Sequence, residues 1–218
     1  MKKPILIILL FFASIFCYGQ KTYKILYENG QLKETGQFDV NEKQTGEWKK
    51  YYENGKLYYA VNYENGVFKG EWKFYDENGK LTNIQHSENG LSENFDENGK
   101  LWCIGKYKNG IDKIGEWKYY FPNGLTKRIE NYKDGKLNGE YKSYEYNNGK
   151  VYIYSKGKYE NGKEVGEWKY YFENGKQKEI GNRQNNNRIG KWNEYNKEGK
   201  IIFIRYYENG NLIKTEKH

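Results

Sequence analysis

The side chains able to do covalent or metal chemistry are few in this chain, and their spacing does not suit it. Beyond residue 19 the serines are Ser87, Ser92, Ser143 and Ser155, the histidines are His86 and His218, and the one cysteine is Cys103. A serine nucleophile needs a histidine base within hydrogen-bond reach. The one adjacent pair, His86 and Ser87, would point to opposite faces of a strand. One Cys, two His and five Asp offer no metal-ligand spacing, and tight Glu-Asn-Gly-Lys turns lack the long loop of a calcium site. Glutamate is abundant enough for a paired-carboxylate hydrolase. Glu47, Glu71, Glu116 and Glu167, however, each recur beside a lysine in a repeated string, which makes them part of a structural pattern. No enzyme activity, metal or cofactor is expected. His86 reads as a surface residue, and Cys103 as a half-buried strand residue without an intramolecular partner.

The elements that would position any site follow from composition. The 218 residues include 24 Tyr, 10 Phe, 6 Trp, 25 Gly and 2 Pro, and aromatics make up 18% against 36% for all hydrophobic residues. Too few aliphatics remain for a TIM barrel or a doubly wound sheet, and disordered chains are poor in aromatics. An all-β, turn-rich chain is the expectation. Residues 1–19 read as a secretory signal peptide. Met1 to Lys3 are basic, Pro4 to Phe16 are apolar, and cleavage is expected after Gly19. That places residues 20–218 in the periplasm, the envelope or outside the cell. Loss of Lys2 and Lys3 lowers the net charge from +8 to +6, 35 basic minus 29 acidic. The lysines alternate with glutamates instead of clustering, so no nucleic-acid partner is expected.

The dominant signal is an internal repeat. GEWKKYYENGK starts at Gly46, GEWKFYDENGK at Gly70, GEWKYYFPNG at Gly115, GEYKSYEYNNGK at Gly139, GEWKYYFENGK at Gly166 and GKWNEYNKEGK at Gly190. A degraded copy, LSENFDENGK, runs from Leu91 to Lys100. The unit is about 24 residues, from Gly46 to Gly70, which gives seven to eight repeats. Each holds two turn signals, mostly Asn-Gly, so each is a β-hairpin plus the turn to the next.

Asn-Gly is the signature of a two-residue type I′ loop, whose central residues both need φ > 0. At Asn54-Gly55 such a loop pairs Glu53 with Lys56, Tyr52 with Leu57, Lys50 with Tyr59 and Trp48 with Val61. Side chains then alternate between faces. One face collects Trp48, Tyr52, Leu57, Tyr59, Val61, Tyr63, Phe68, Trp72 and Phe74. The other collects Glu47, Lys49, Tyr51, Lys56, Tyr58, Lys69, Glu71, Lys73 and Tyr75, as a cross-strand charge lattice. The same register at Asn123-Gly124 and Asn174-Gly175 puts Arg128, Glu130, Gln177 and Glu179 on the aromatic face. Two explanations stay open: longer turns, or a face only half apolar there. The stretch from Arg183 to Arg188 is either a break or a long turn. About sixteen strands at ~4.8 Å spacing make a ribbon roughly 75 Å long, which must twist or coil.

The G-E-W-K-x-Y-x-x-N-G-K unit, followed by a Y-x-N-G or Y-x-D-G such as Tyr107 to Gly110 and Tyr132 to Gly135, resembles the MORN repeat in its bacterial variant, grouped as YwqK-family antitoxin-like. The resemblance covers roughly Tyr23 to Gly210. It implies an elongated, single-layer antiparallel meander of β-hairpins, twisted into an open trough, and a binding or scaffolding role toward proteins or membrane lipids. The function expected is a protein-interaction module acting through the aromatic face, with Trp48, Tyr59, Trp72, Phe74, Trp117, Tyr119, Trp168, Tyr170 and Trp192 as candidate contacts. The alternatives are a carbohydrate or cell-wall binding repeat, since G-x-W-x-Y-Y also resembles choline- and glucan-binding hairpins, and an antitoxin or immunity protein. A monomer or weak oligomer is expected.

Overall fold

A computed structural model describes residues 21–218; the expected signal peptide lies outside these residues. The chain forms hairpins in succession: β1 (Lys21–Leu26) with β2 (Leu32–Phe38), β3 (Gln44–Tyr51) with β4 (Leu57–Glu64), β5 (Val67–Tyr75) with β6 (Leu81–His86), and β7 (Leu91–Phe95) with β8 (Leu101–Lys108). β9 (Asp112–Tyr120) pairs with β10 (Thr126–Lys133), and β10 pairs in turn with β11 (Lys136–Leu137) and β12 (Gly139–Asn147), which act as one kinked strand. Then come β13 (Lys150–Glu160), β14 (Lys163–Tyr171), β15 (Gln177–Gln184), β16 (Asn187–Tyr195), β17 (Ile201–Glu208) and β18 (Asn211–Lys217). All eighteen belong to one sheet, and every pairing is antiparallel between strands adjacent along the chain. Among the described residues β1 pairs with β2 alone and β18 with β17 alone, so the meander is open. All extensive contacts are between strands paired in this meander, the arrangement of a quasi-one-dimensional repeat protein.

The turns are of two kinds, one on each long edge. At Asn54-Gly55 the Gly55 N–H donates to Tyr52 O (3.0 Å) and Tyr52 N–H to Lys56 O (2.8 Å), and only Gly55 has positive φ, 80°. This is a three-residue loop, a type I turn closed by a left-handed glycine, and not the expected type I′ pair. Tyr51 therefore faces Leu57, and Tyr58 bulges out of the ladder. The bulge restores the expected pairs Lys50–Tyr59 and Trp48–Val61, whereas the Tyr52–Leu57 and Glu53–Lys56 pairs are not formed. It also turns Tyr58 onto the aromatic face, where its ring lies 4.9 Å from Tyr52 and 6.2 Å from Phe74. On the opposite edge Asn65 (φ 52°) and Gly66 (φ 78°) form the two-residue loop, with Glu64 opposite Val67. Asn185-Asn186 does the same between Gln184 and Asn187, so the Arg183 to Arg188 stretch is a tight turn.

Turns stack on turns along both edges. On the first, Asn54 Nδ2 donates to Glu77 O, Lys80 Nζ to Glu97 O and Asn174 Nδ2 to Lys197 O. On the second the links are backbone: Gly66 N–H to Gln44 O, Gly162 N–H to Leu137 O and Gly210 N–H to Arg188 O. The charged face is realised along strands, not across them. Glu47–Lys49 (2.6 Å), Glu71–Lys73 (2.9 Å), Glu116–Lys118 (3.2 Å) and Glu167–Lys169 (2.6 Å) are each two residues apart. Such solvent-exposed pairs are screened by water and salt and contribute little to stability.

A single layer still buries its indoles, through a recurring glycine slot. A Cβ added at Gly36 would lie 2.2 Å from the Trp48 ring, and the same holds for Gly105 against Trp117 (2.1 Å), Gly157 against Trp168 (2.3 Å) and Gly181 against Trp192 (2.2 Å). Each of these glycines sits at a break in strand register. Only a bare Cα there lets the next strand's indole lie flat on the backbone. Three of these indoles also donate Nε1–H to the carbonyl one residue past the slot: Trp48 to Gln37, Trp117 to Lys106 and Trp192 to Asn182.

Candidate binding face

The candidate contacts fall into two groups. Trp48, Trp117, Trp168 and Trp192 are 3%, 0%, 2% and 1% exposed, and Tyr119 is buried with them. These side chains are rungs of the sheet and offer little surface as they stand. Tyr59, Trp72, Phe74 and Tyr170 are partly exposed. Three of these four are brought together on β4 and β5: Tyr59 lies 5.5 Å from Trp72 and 6.0 Å from Phe74, and Trp72 stacks on Phe74 at 4.8 Å. Tyr52 and Tyr58 extend the cluster, and a shallow hollow of about 370 Å³ lies beside Tyr52, Tyr58 and Phe74.

The cause of this exposure is a single slot. Val61 stands at the register break where its counterparts are glycine, and it is buried, with Trp48 beside it on the neighbouring strand. Trp72 is thereby left partly exposed, and its Nε1, like that of Trp168, has no partner. In the next unit Ser92 replaces the tryptophan altogether; it is fully buried, its Oγ accepting from Asn83 Nδ2 at 2.8 Å. Trp102, 45% exposed and 6.1 Å from Tyr119, was missed at the level of sequence. It occupies the bulge between Leu101 and Cys103, the same position as Tyr58, and only recognition of the glycine-closed loop reveals that the bulge row faces the aromatic side.

Farther along the chain the face is only partly apolar, while the turns keep the same length. Glu130 is buried opposite Trp117, within 2.8 Å of Arg128, whose guanidinium lies 4.1 Å from the Tyr119 ring centre. Arg188 covers Trp192 at 4.2 Å and grips Glu179 through both terminal nitrogens, at 2.5 and 2.9 Å. Arg183 pairs with Glu164 at 2.8 Å and donates to the Tyr170 hydroxyl. Lys113 stands 4.2 Å over Trp117. Cations stacked on rings and tied to carboxylates thus cap the indoles that the single layer would leave open.

Burial governs the acid–base behaviour here. Desolvation raises the Tyr59, Tyr119 and Tyr159 hydroxyls well above the ordinary tyrosine value, with Glu34 adding to it at Tyr59. It pushes the Cys103 thiol up to about 11, and Cys103 is buried in a cluster with Trp117 and Tyr119. His86 is half-buried and not a free surface residue, with Nε2 3.6 Å from Glu93 Oε2. Among the described residues no group of three or more His, Cys, Asp or Glu is gathered as a metal site would require, and no helix is long and apolar enough to cross a membrane.

The family model described as the MORN repeat variant matches residues 20–39, 44–65, 68–89, 88–109, 113–134 and 164–185. These stretches cover more than half of the chain. The chain belongs to the MORN repeat variant family. Antiparallel hairpins continue past the matched stretches, through β12–β13 and β16–β17. Among curated proteins none matches. Solved structures with some likeness include a GtfA/B complex bound to UDP and GlcNAc (19% identity, 50% of this chain and 23% of that one, TM-score 0.23). Others are a TcdB2-TccC3-TEV structure (12%, 85% and 12%, TM-score 0.23) and a Photorhabdus luminescens Tc holotoxin pore with the TccC3-D651A mutation (14%, 88% and 14%, TM-score 0.19). The chain spans less than a quarter of each of these chains, and at these scores they carry no weight for its fold or function.

Proposed function

We propose that this MORN repeat protein is an exported, non-enzymatic bacterial interaction module that receives a segment of a partner polypeptide on the aromatic cluster of its second and third repeats. One observation supports the reading. Tyr52, Tyr58, Tyr59, Trp72 and Phe74 form a contiguous cluster of partly exposed rings, while four of the remaining indoles are fully packed away. Partly exposed aromatics clustered in this way are what partner anchors dock against. The surrounding Glu-Lys pairs would orient the partner more than they would hold it.

The test compares the mature chain with a Tyr58→Ala/Phe74→Ala double variant. A photo-crosslinking side chain placed at Lys50, whose ammonium lies 5.9 Å over the Tyr58 ring, captures partners from envelope extract. Each captured protein is then purified and titrated against both forms. The reading requires saturable binding that the double variant weakens by about a hundredfold, the loss of two central aromatic anchors. Equal affinity for the two forms would sink it.

A further inference from the structure

A second, chemically different site lies where the repeat decays. After three of the tryptophans the residue fifteen positions on is a tyrosine packed edge-on against it, Tyr63 on Trp48 (6.2 Å), Tyr132 on Trp117 (6.4 Å) and Tyr207 on Trp192 (6.3 Å), while after Trp168 it is Arg183, whose guanidinium lies 5.8 Å from the ring centre. After Trp72 that position is Ser87, held there by its N–H donating to Gly70 O (2.9 Å), and the following tryptophan position is Ser92. The ring position at Ser87 is therefore empty, and on the next strand the buried Ser92 stands opposite Gln85 in place of an indole. A cavity of about 400 Å³ opens there, walled by Phe68 and Trp72 on one side and Tyr107 on the other, with Gln85, His86 and Ser87 between them. His86 ends β6 and Ser87 begins the turn, so strand alternation does not separate them.

Three buried polar atoms on this lining have no hydrogen-bond partner: Trp72 Nε1, His86 Nε2 and Ser87 Oγ. Buried polar groups are ordinarily paired, and each one left open is costly. Here the three belong to residues around an aromatic-walled hollow, covered as the structure stands, and a ligand reaches them through small shifts of the side chains above them. We propose that this cavity binds a pyranose ring, free or at the end of a glycan. A sugar offers a flat C–H face to the aromatic walls and hydroxyls that both accept from the Trp72 N–H and pair with His86 and Ser87. A phosphate or carboxylate finds no lysine or arginine in the lining and meets the Glu93 carboxylate beside His86. An ammonium ion would suit the rings and Glu93 but leaves the Trp72 N–H without an acceptor. The volume is within the usual range for small-ligand pockets, roughly 300–1,000 Å³.

The decisive variant is Ser87→Tyr, which restores the residue found at positions 63, 132 and 207 and fills the cavity without disturbing the glycine slots or the Tyr58–Phe74 cluster. The mature chain is titrated with a panel of methyl pyranosides and with soluble oligosaccharides ending in the same sugars, by saturation-transfer NMR and calorimetry. At least one pyranose is expected to bind in the wild type. Ser87→Tyr should abolish that binding while unfolding at the same or a higher temperature, and Trp72→Phe, which keeps the wall and removes the N–H, should weaken it about tenfold. Binding of the methyl glycoside alone supports a free-sugar site, and binding only of the oligosaccharide supports a glycan end. The proposal is overturned if no pyranose binds at concentrations up to roughly ten times a millimolar Kd, or if Ser87→Tyr binds as well as wild type, including the case in which a peptide competes for the same hollow. Polypeptide capture at Lys50 is read separately, so either proposal can fail alone.

Discussion

Substituting Gly181 by alanine tests the slot that lets one sheet layer bury its indoles. Gly181 does not have positive φ, so alanine can adopt its backbone, but the new methyl would sit 2.2 Å from Trp192 Cδ2. The ring must leave the slot, and Trp72 above Val61 shows where it goes: to partial exposure with its nitrogen unpaired. Re-exposing about a third of an indole that buries ~250 Å² costs about 2 kcal/mol at ~25 cal/mol per Å². Loss of the Trp192 Nε1–H to Asn182 O hydrogen bond (3.1 Å) adds about 1 kcal/mol. Replacing a strand glycine returns roughly 0.5–1 kcal/mol through the unfolded chain. The net expectation is a destabilisation of about 2 kcal/mol. Urea unfolding followed by tryptophan fluorescence measures it, and a red shift of the folded-state emission should accompany the loss. A midpoint unchanged within error together with unshifted emission would refute the slot as the basis of indole burial.

Asn65→Ala should cost about 1 kcal/mol or more, because alanine must adopt φ near 52°, whereas Asn78→Ala in the other turn class should cost under about 0.5 kcal/mol; thermal unfolding of the pair checks the two-edge assignment. Cys103, buried and pushed up to about 11, should react with Ellman's reagent at pH 8 only after denaturation, and prompt reaction of the native chain would contradict its burial. Burial, with the hydrogen bond to Glu130, raises Tyr132 from its ordinary 10.0 to about 12. Its contribution is therefore complete below pH 10 and lost as pH rises through about 12, and tyrosinate absorbance should lag at alkaline pH and then rise with unfolding. Arg128→Ala leaves the buried Glu130 carboxylate without its 2.8 Å partner and should destabilise by about 3 kcal/mol, with Arg128→Lys recovering part of it.

Much of the architecture could be read from residue order. The 24-residue period, the aromatic surplus and the paired turn signals specify an all-β meander, and the Trp48–Val61 and Lys50–Tyr59 pairs follow from counting outward from Asn54-Gly55. The candidate face was legible as a row of rings but not as a mixture of buried rungs and one open cluster. That division depends on whether a glycine or Val61 lies under the next strand's indole, a relation between residues about a dozen apart that exists only once the register breaks are in place.

The turns show most clearly where local sequence stops deciding. Tyr52-Glu53-Asn54-Gly55-Lys56 and Tyr159-Glu160-Asn161-Gly162-Lys163 are the same five residues. Yet Asn161 has φ of 49° in a two-residue loop, while in the first copy only Gly55 is left-handed. Sequence determined that both would be turns, because Asn-Gly tolerates either geometry. Which turn forms was decided by the edge: Gly162 N–H is held by Leu137 O, whereas the Asn54 side chain reaches forward to Glu77 O. The two loops differ in the strand register they close and in the bond each makes to a neighbouring repeat, and both of these exist only in the assembled sheet.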